Sequence, residues 1–235
     1  MTAQLPNDPT TQLPKLAVIG GTGKEGNALA FRFAQAGVRV LIGSRDAAKA
    51  QSAANKMNAR LGATTWRVEG YLNRDAAAKA DIVLLSVPYA GMQPILEDLR
   101  DAVQNKIVIN IASSLDPERK SRAKPPAAGS VTAEVQRFFG ESTKVVAAFQ
   151  NISPEKLEAV DEKIDSDVLV CGGDKDARAL VIEMIRKIGI DALDAGVLAN
   201  AVAVEALTAV LIAVNIKYKI KGAGIRLTGV PRGEP

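Results

Sequence analysis

The chain has 235 residues, 47% hydrophobic and 24% charged, with a formal charge of +4; this is an ordinary globular balance at a length that suits one domain plus a smaller unit. Histidine is absent and cysteine occurs once, at Cys171, which excludes Ser/His/Asp and Cys/His triads, histidine-bound zinc, an intramolecular disulfide and a cysteine metal cluster, and fits a reducing cytoplasm. Aromatic residues make up 4%, too few for base stacking, so the positive charge does not point to nucleic acid.

In chain order, residues 1–14 are polar, proline-containing and without the basic start and apolar run of a signal peptide, which predicts a flexible arm. Residues 16–19 form an apolar run ending in Gly20-Gly21-Thr22-Gly23-Lys24-Glu25-Gly26, and 27–35 follow with helical spacing: strand, glycine turn, helix. A second strand over 38–42 leads through Ser44 and Arg45 into an Ala/Lys-rich helix over 47–61. A third strand is predicted over 64–68, a short helix over 75–80, an uninterrupted apolar strand over 81–87, a helix over 92–103 and a strand over 107–111. Apolar runs without alternation, separated by helices, indicate parallel strands covered on both faces, hence an α/β, doubly wound sheet.

Residues 112–129 show neither period and read as a long loop, followed by a helix over 131–139 and a strand over 144–149. A boundary near Gln150 separates a nucleotide-binding unit over 15–150 from a smaller α+β unit over 151–235, with strands at 168–170 and 192–193 flanking a helix over 175–188. The final apolar stretch, 197–216, contains Asn200, Glu205, Thr208 and Asn215. A charge in mid-span makes a buried helix or subunit contact the expectation rather than a membrane span.

Gly21, Gly23 and Gly26 match the G-x-G-x-x-G spacing of a Rossmann dinucleotide-binding turn. There the first glycine allows the tight turn, the second lets a pyrophosphate approach the backbone, and the third lets helix and strand pack closely. The end of the second strand selects the dinucleotide. Where an NAD site places an acid for the ribose 2′-hydroxyl, this chain has Ser44 and Arg45, with Lys49 four residues further; these groups suit a 2′-phosphate, so NADP(H) is the expected cofactor.

Ligands of such sheets lie at the carboxyl ends of the strands. Ser86-Val87-Pro88-Tyr89, Asn110-Ile111-Ala112-Ser113 and Ala148-Phe149-Gln150-Asn151-Ile152 are therefore expected to converge around the nicotinamide. Tyr89 is the one titratable group among them, and none of Tyr71, Tyr89 and Tyr218 begins a Tyr-x-x-x-Lys pair. Reduction of a carbonyl or imine calls for a placed proton donor, whereas hydride exchange between two redox cofactors needs only positioning in a dry site. On the residues alone, three readings stay open: a second cofactor as substrate, another acceptor such as a flavin, ferric chelate or imine, and a non-catalytic NADPH-binding role.

The segments GGTGKEG, GSRDAAKA, SVPY, KVVAAFQNI, DEKIDSDVLVCGGD and LDAGVLANAVAVEALT together resemble the NADPH-dependent coenzyme F420 reductases, or F420H2:NADP oxidoreductases, over 15–229. The resemblance implies reversible hydride transfer between C4 of the nicotinamide and C5 of the deazaflavin. The rings would stack in a cleft between a Rossmann domain and a small C-terminal domain of a cytoplasmic homodimer. Carried over by position, Thr22, Gly23, Lys24 and Glu25 would line the pyrophosphate, Ser44, Arg45 and Lys49 would bind the 2′-phosphate, and Val87 and Pro88 would sit by the nicotinamide. Ile152 would pack on the deazaflavin, with Ala223 and Gly224 near that ring. Archaeal members carry a histidine where this chain has Gln150, whose amide is expected to donate a hydrogen bond but cannot change charge near pH 7. Arg119, Lys120, Arg122 and Lys124 could meet the anionic tail of the deazaflavin, against the plainer reading of a solvated basic loop.

Overall fold

The computed structural model describes residues 13–64 and 66–231, so the arm expected over 1–14 lies almost wholly outside the described residues. Six strands, β1 (Leu16–Ile19), β2 (Val40–Ser44), β3 (Glu69–Leu72), β4 (Ile82–Leu85), β5 (Ile107–Asn110) and β6 (Lys144–Ala147), lie parallel in the order β3-β2-β1-β4-β5-β6. The helices α1 (Lys24–Gln35), α2 (Ala47–Leu61), α3 (Asn73–Lys79), α4 (Met92–Leu99) and α5 (Val131–Phe139) connect them. Alternate residues of a strand face opposite sides. Leu16 and Val18 accordingly pack with Phe33 in one apolar cluster, and Ala17 and Ile19 with Leu99 in another.

After α6 (Pro154–Glu158), the strand β7 (Asp167–Gly172) joins the free side of β6 in the antiparallel sense, with Ala147 opposite Cys171. Through α7 (Lys175–Lys187) the chain returns to β8 (Asp191–Gly196), parallel to β7, so that the C-terminal strands extend the same sheet. The last helix, α8 (Ala201–Tyr218), lies at the carboxyl end of the parallel strands, where Thr208 meets Ser113 and Gln150 beyond β5 and β6.

Three expectations need correction. The third strand lies at Glu69–Leu72 rather than 64–68. It is a half-exposed edge, and its position is set by Gly70, where a Cβ would stand 2.4 Å from the backbone of Ala50 in α2; a bare backbone, not an apolar run, lets the edge lie on the helix. The helix expected over 92–103 ends at Leu99 in a series of turns, and α6, capped by the Ser153 side chain with Pro154 in its first turn, has no counterpart among the expected elements.

The apolar C-terminal helix is not a core helix either. Ala201, Val204, Glu205 and Ala209 are buried, whereas Val202, Val210 and Ile216 are exposed. Its apolar residues surround the whole circumference, so one face alone can meet this chain. Among the described residues it is the helix long and apolar enough to cross a membrane by length and composition. Ala201, Val204 and Leu207 pack on Ala147, Leu169 and Cys171 of the sheet, and a polar contact completes the attachment. The Glu205 carboxylate accepts from the Val131 and Thr132 amides at 2.8 and 2.9 Å and from the Thr132 hydroxyl at 2.7 Å, occupying the N-terminus of α5 where an anion is favoured. Burial pushes its carboxyl above the ordinary range while these donors pull it down. Glu205→Ala strands those donors, and thermal unfolding should show a loss of about 2–3 kcal/mol, or roughly 5–10 °C in Tm.

Candidate functional site

The turn after β1 is built on close approach. Gly20 has φ +75°, and a Cβ there would stand 2.4 Å from the carbonyl oxygen of Ser86 at the end of β4; at Gly26 it would stand 2.8 Å from the Ser86 hydroxyl. Only bare backbone lets α1 settle against β4. Gly20, outside the G-x-G-x-x-G spacing, thus carries the left-handed turn. Gly23 is the N-cap of α1 and supplies no capping side chain, so the first-turn amides stay available to an anion.

From this turn a cleft of about 720 Å³ runs over the carboxyl ends of the strands, within the usual size of ligand sites. The three segments expected to converge do so: Ser86, Val87 and Pro88, then Ser113, then Gln150 and Ile152 line it together with Gly23, Lys24, Glu25 and Ala223. The other candidates take different places. Gly21 and Gly26 are buried beneath the turn, Thr22 is exposed on it, and Ala148 is fully buried. Gly224 packs on the Ser166 side chain instead of lining the cleft.

Ser44, Arg45 and Lys49 sit outside the cleft at the end of β2, the strand beside β1. Arg45 and Lys49 are exposed, and the Ser44 hydroxyl accepts from the Asp46 amide at 3.2 Å. Asp46 is the N-cap of α2, accepting from the Lys49 amide at 3.1 Å. The nearby acid therefore has a local structural role.

The residues that close the far wall are ones that sequence reasoning misses. Thr208, Leu211, Ile212 and Asn215 of α8 line the cleft; their i, i+3, i+4, i+7 spacing is visible in the chain, but Thr208 and Asn215 read there as polar breaks in an apolar run. Of the basic loop, Lys120 alone lines the cleft, and Arg122 lies 3.9 Å from Asp116. Across the mouth, the Lys24 ammonium bonds Glu155 of α6 at 2.7 Å, with Glu158 at 3.5 Å. Lys24 holds the Glu155 carboxyl below the ordinary range.

Gln150 is buried. Its Nε2 donates to the Asn110 carbonyl at 2.8 Å, so the expected donation is made inward, and its Oε1 is left without a partner. Tyr89 donates its hydroxyl hydrogen to Glu134 at 2.8 Å, and burial pushes its pKa up. Cys171 is buried with its thiol pushed to about 12, which leaves it unreactive. Among the described residues no group of three or more Cys, Asp or Glu could hold a metal ion. The walls can accept an anion at one end and enclose flat rings between apolar side chains at the other.

The family described as "NADP oxidoreductase coenzyme F420-dependent" matches over residues 15–114. The F420-dependent NADP reductase of Methanothermobacter thermautotrophicus is 42% identical over 225 residues, covering 94% of this chain and 97% of that one. The F420-dependent NADP reductase of Methanocaldococcus jannaschii is 40% identical, covering 92% and 99%. In fold, the chain resembles the crystal structure titled as a putative F420-dependent NADP reductase from Arthrobacter, with TM-score 0.79 at 24% identity, over 92% of this chain and 100% of that one.

Glu25 gives the site a pH signature. Burial, then the charge of Glu155, raises its carboxyl from 4.5 to about 7. Folded protein thus binds the proton more tightly than unfolded protein, and stability falls as pH rises from 4.5 through 7. Glu25→Gln should match the wild-type Tm near pH 4.5 and exceed it at pH 8 by roughly 10 °C, the equivalent of about 3 kcal/mol.

Proposed function

The chain belongs to the coenzyme F420-dependent NADP oxidoreductase family, and from that premise we propose that it transfers a hydride reversibly between NADP(H) and the deazaflavin coenzyme F420, with catalysis by positioning. The observation that carries this is the cleft itself, which joins an uncapped helix N-terminus to an apolar chamber walled by Val87, Ile152 and Ile212. When bound, the two cofactors supply the redox chemistry, a hydride passing from C4 of one ring to C5 of the other. The protein's task is orientation and exclusion of water.

The residues present fit these groups. Gly23 at the head of α1 carries no capping side chain, so the amides of Lys24 and Glu25 are left for a pyrophosphate. In this reading Thr22 and Lys24 bind that pyrophosphate, and Ser44, Arg45 and Lys49 bind the 2′-phosphate. Val87 and Pro88 back the nicotinamide, while Ile152 and Ala223 enclose the deazaflavin. Residues 15–150 act as the NADP-binding unit, and 151–235 complete the deazaflavin side.

Mixing the purified protein with NADPH and oxidised F420 tests the activity: loss of the deazaflavin's visible absorbance is expected, and turnover with flavin or ferric chelate alone would favour another acceptor. Arg45→Glu should raise KM for NADPH by tenfold or more and for NADH little, because a bidentate cation–phosphate contact is lost only with the first.

The proposal includes a cytoplasmic homodimer. The exposed Val202, Val210 and Ile216 of α8, with Tyr218 and Ile220 beyond them, support a second copy as the partner of this helix. Light scattering after size exclusion should give twice the chain mass, and Val210→Glu, an exposed charge that leaves the fold alone, should halve it.

A further inference from the structure

The reversal of β7 gives the cleft a second edge. β7 meets β6 through Gly172 and Cys171, opposite Val146 and Ala147, so residues 167–170 run on past the carboxyl end of β6. β8 starts level with β7, Asp191 opposite Asp167. Both strands therefore begin on the side of the sheet where the cleft lies. The chain beyond α8 is fastened to that edge. It leaves the helix at Lys219, with φ +54°, and Asn215 Oδ1 accepts from the Gly222 and Ala223 amides at 3.1 and 2.9 Å. Gly222, with φ +125°, comes so close to α6 that a Cβ would stand 3.1 Å from the Ser153 hydroxyl. The Ile225 carbonyl then accepts from the Asp167 amide at 2.7 Å, and the Leu227 amide donates to the buried Asp167 carboxylate at 2.7 Å. Between these two contacts the Arg226 guanidinium reaches Asp165 and Asp191, each at 3.1 Å, and Asp167 at 3.8 Å. Its planar fork puts one nitrogen on Asp165 and the other on Asp191, a bridge that a point charge does not make.

We propose that Arg226 is a positioning residue for the deazaflavin: it clasps residues 219–227 to the starts of β7 and β8, and so fixes the part of the cleft wall that Asn215 and Ala223 form. This rests on the function proposed above. Arg226 acts through the backbone, because Ala223 stands three residues before it on the same fastened segment and lines the cleft. Without the guanidinium, the carboxylates of Asp165, Asp167 and Asp191 lose a shared cation and repel one another, so the clasp opens and the wall moves. A ring wall displaced even slightly costs binding and alignment. The NADP(H) half stands on the turn after β1 and on the end of β2, elements that Arg226 does not hold. Loosening the clasp therefore affects one cofactor and spares the other.

Steady-state kinetics of the full chain with NADPH and oxidised F420 test this. Arg226→Ala should raise KM for F420 about tenfold, while KM for NADPH stays within about twofold and kcat at saturating F420 within about threefold of wild type. Its thermal transition shows whether it folds. If it does not, Asp165→Ala, which removes an exposed partner of the same clasp, carries the test and should raise KM for F420 about threefold with KM for NADPH unchanged. An unchanged KM for F420 in the folded variant overturns the proposal. An equal rise in KM for both cofactors overturns it too, since that marks a general loss of structure. Failure of the wild type to reduce F420 at all would instead bring down the functional reading on which the proposal rests.

Discussion

The carboxylate of Glu205 at the head of α5 is the contact on which the site depends. α8 has one small apolar contact with its own chain, Ala201, Val204 and Leu207 on Ala147, Leu169 and Cys171, and a charge-assisted set of three hydrogen bonds adds direction to it and fixes where the helix lies. One turn further on, Thr208 meets Gln150 and Ser113, and the same helix then presents Leu211, Ile212 and Asn215 to the cleft. The rest of the far wall is also held by polar groups on backbone. Arg32 of α1 donates to the carbonyls of Lys156, Leu157 and Ala159 around the end of α6. Asn215 accepts from the amides of Gly222 and Ala223, and Arg226 pairs with Asp165 and Asp191, so the C-terminal segment folds back onto the cleft.

The near wall follows the opposite principle. Where β1 meets β4, side chains are removed instead of added, and Gly20 and Gly26 bring the turn to within contact of Ser86. The two walls differ in composition as well: the start of α1 leaves its first-turn amides without a side-chain cap, while α8 faces the cleft with Leu211 and Ile212. Between the two lies the apolar chamber where flat rings can be held close.

The absence of histidine follows the same division of labour. Titratable groups do reach the cleft, but Tyr89 is tied to Glu134, Lys24 to Glu155, and Glu25 is desolvated. None needs to deliver a proton if the cofactors exchange a hydride. Gln150 brings no charge, and its amide is turned inward on the Asn110 carbonyl. Its position in the sequence points only to an amide, because the partner of that amide lies 40 residues away in the chain.

Much of the body is legible in the residues themselves. The apolar runs at β1, β4 and β5 are short, continuous and flanked by helical periods, and hydrophobic periodicity is a local property that the chain states outright. The glycine turn and the Ser44–Arg45 pair are equally plain, since backbone freedom and charge are intrinsic to the residues. β3 falls away from its expected place because an edge strand answers to what it leans on, here the backbone of Ala50 beneath Gly70. The far wall is hidden for a related reason: an apolar helix with scattered polar residues has no unique partner until the fold supplies one. The sequence by itself determined the parallel sheet, the nucleotide turn and the absence of histidine, all of them local chemistry. Only the tertiary structure decided that Glu205 anchors α8, that Thr208 and Asn215 face the cleft and that Gln150 turns its amide onto Asn110, because each depends on groups that long-range packing brings together.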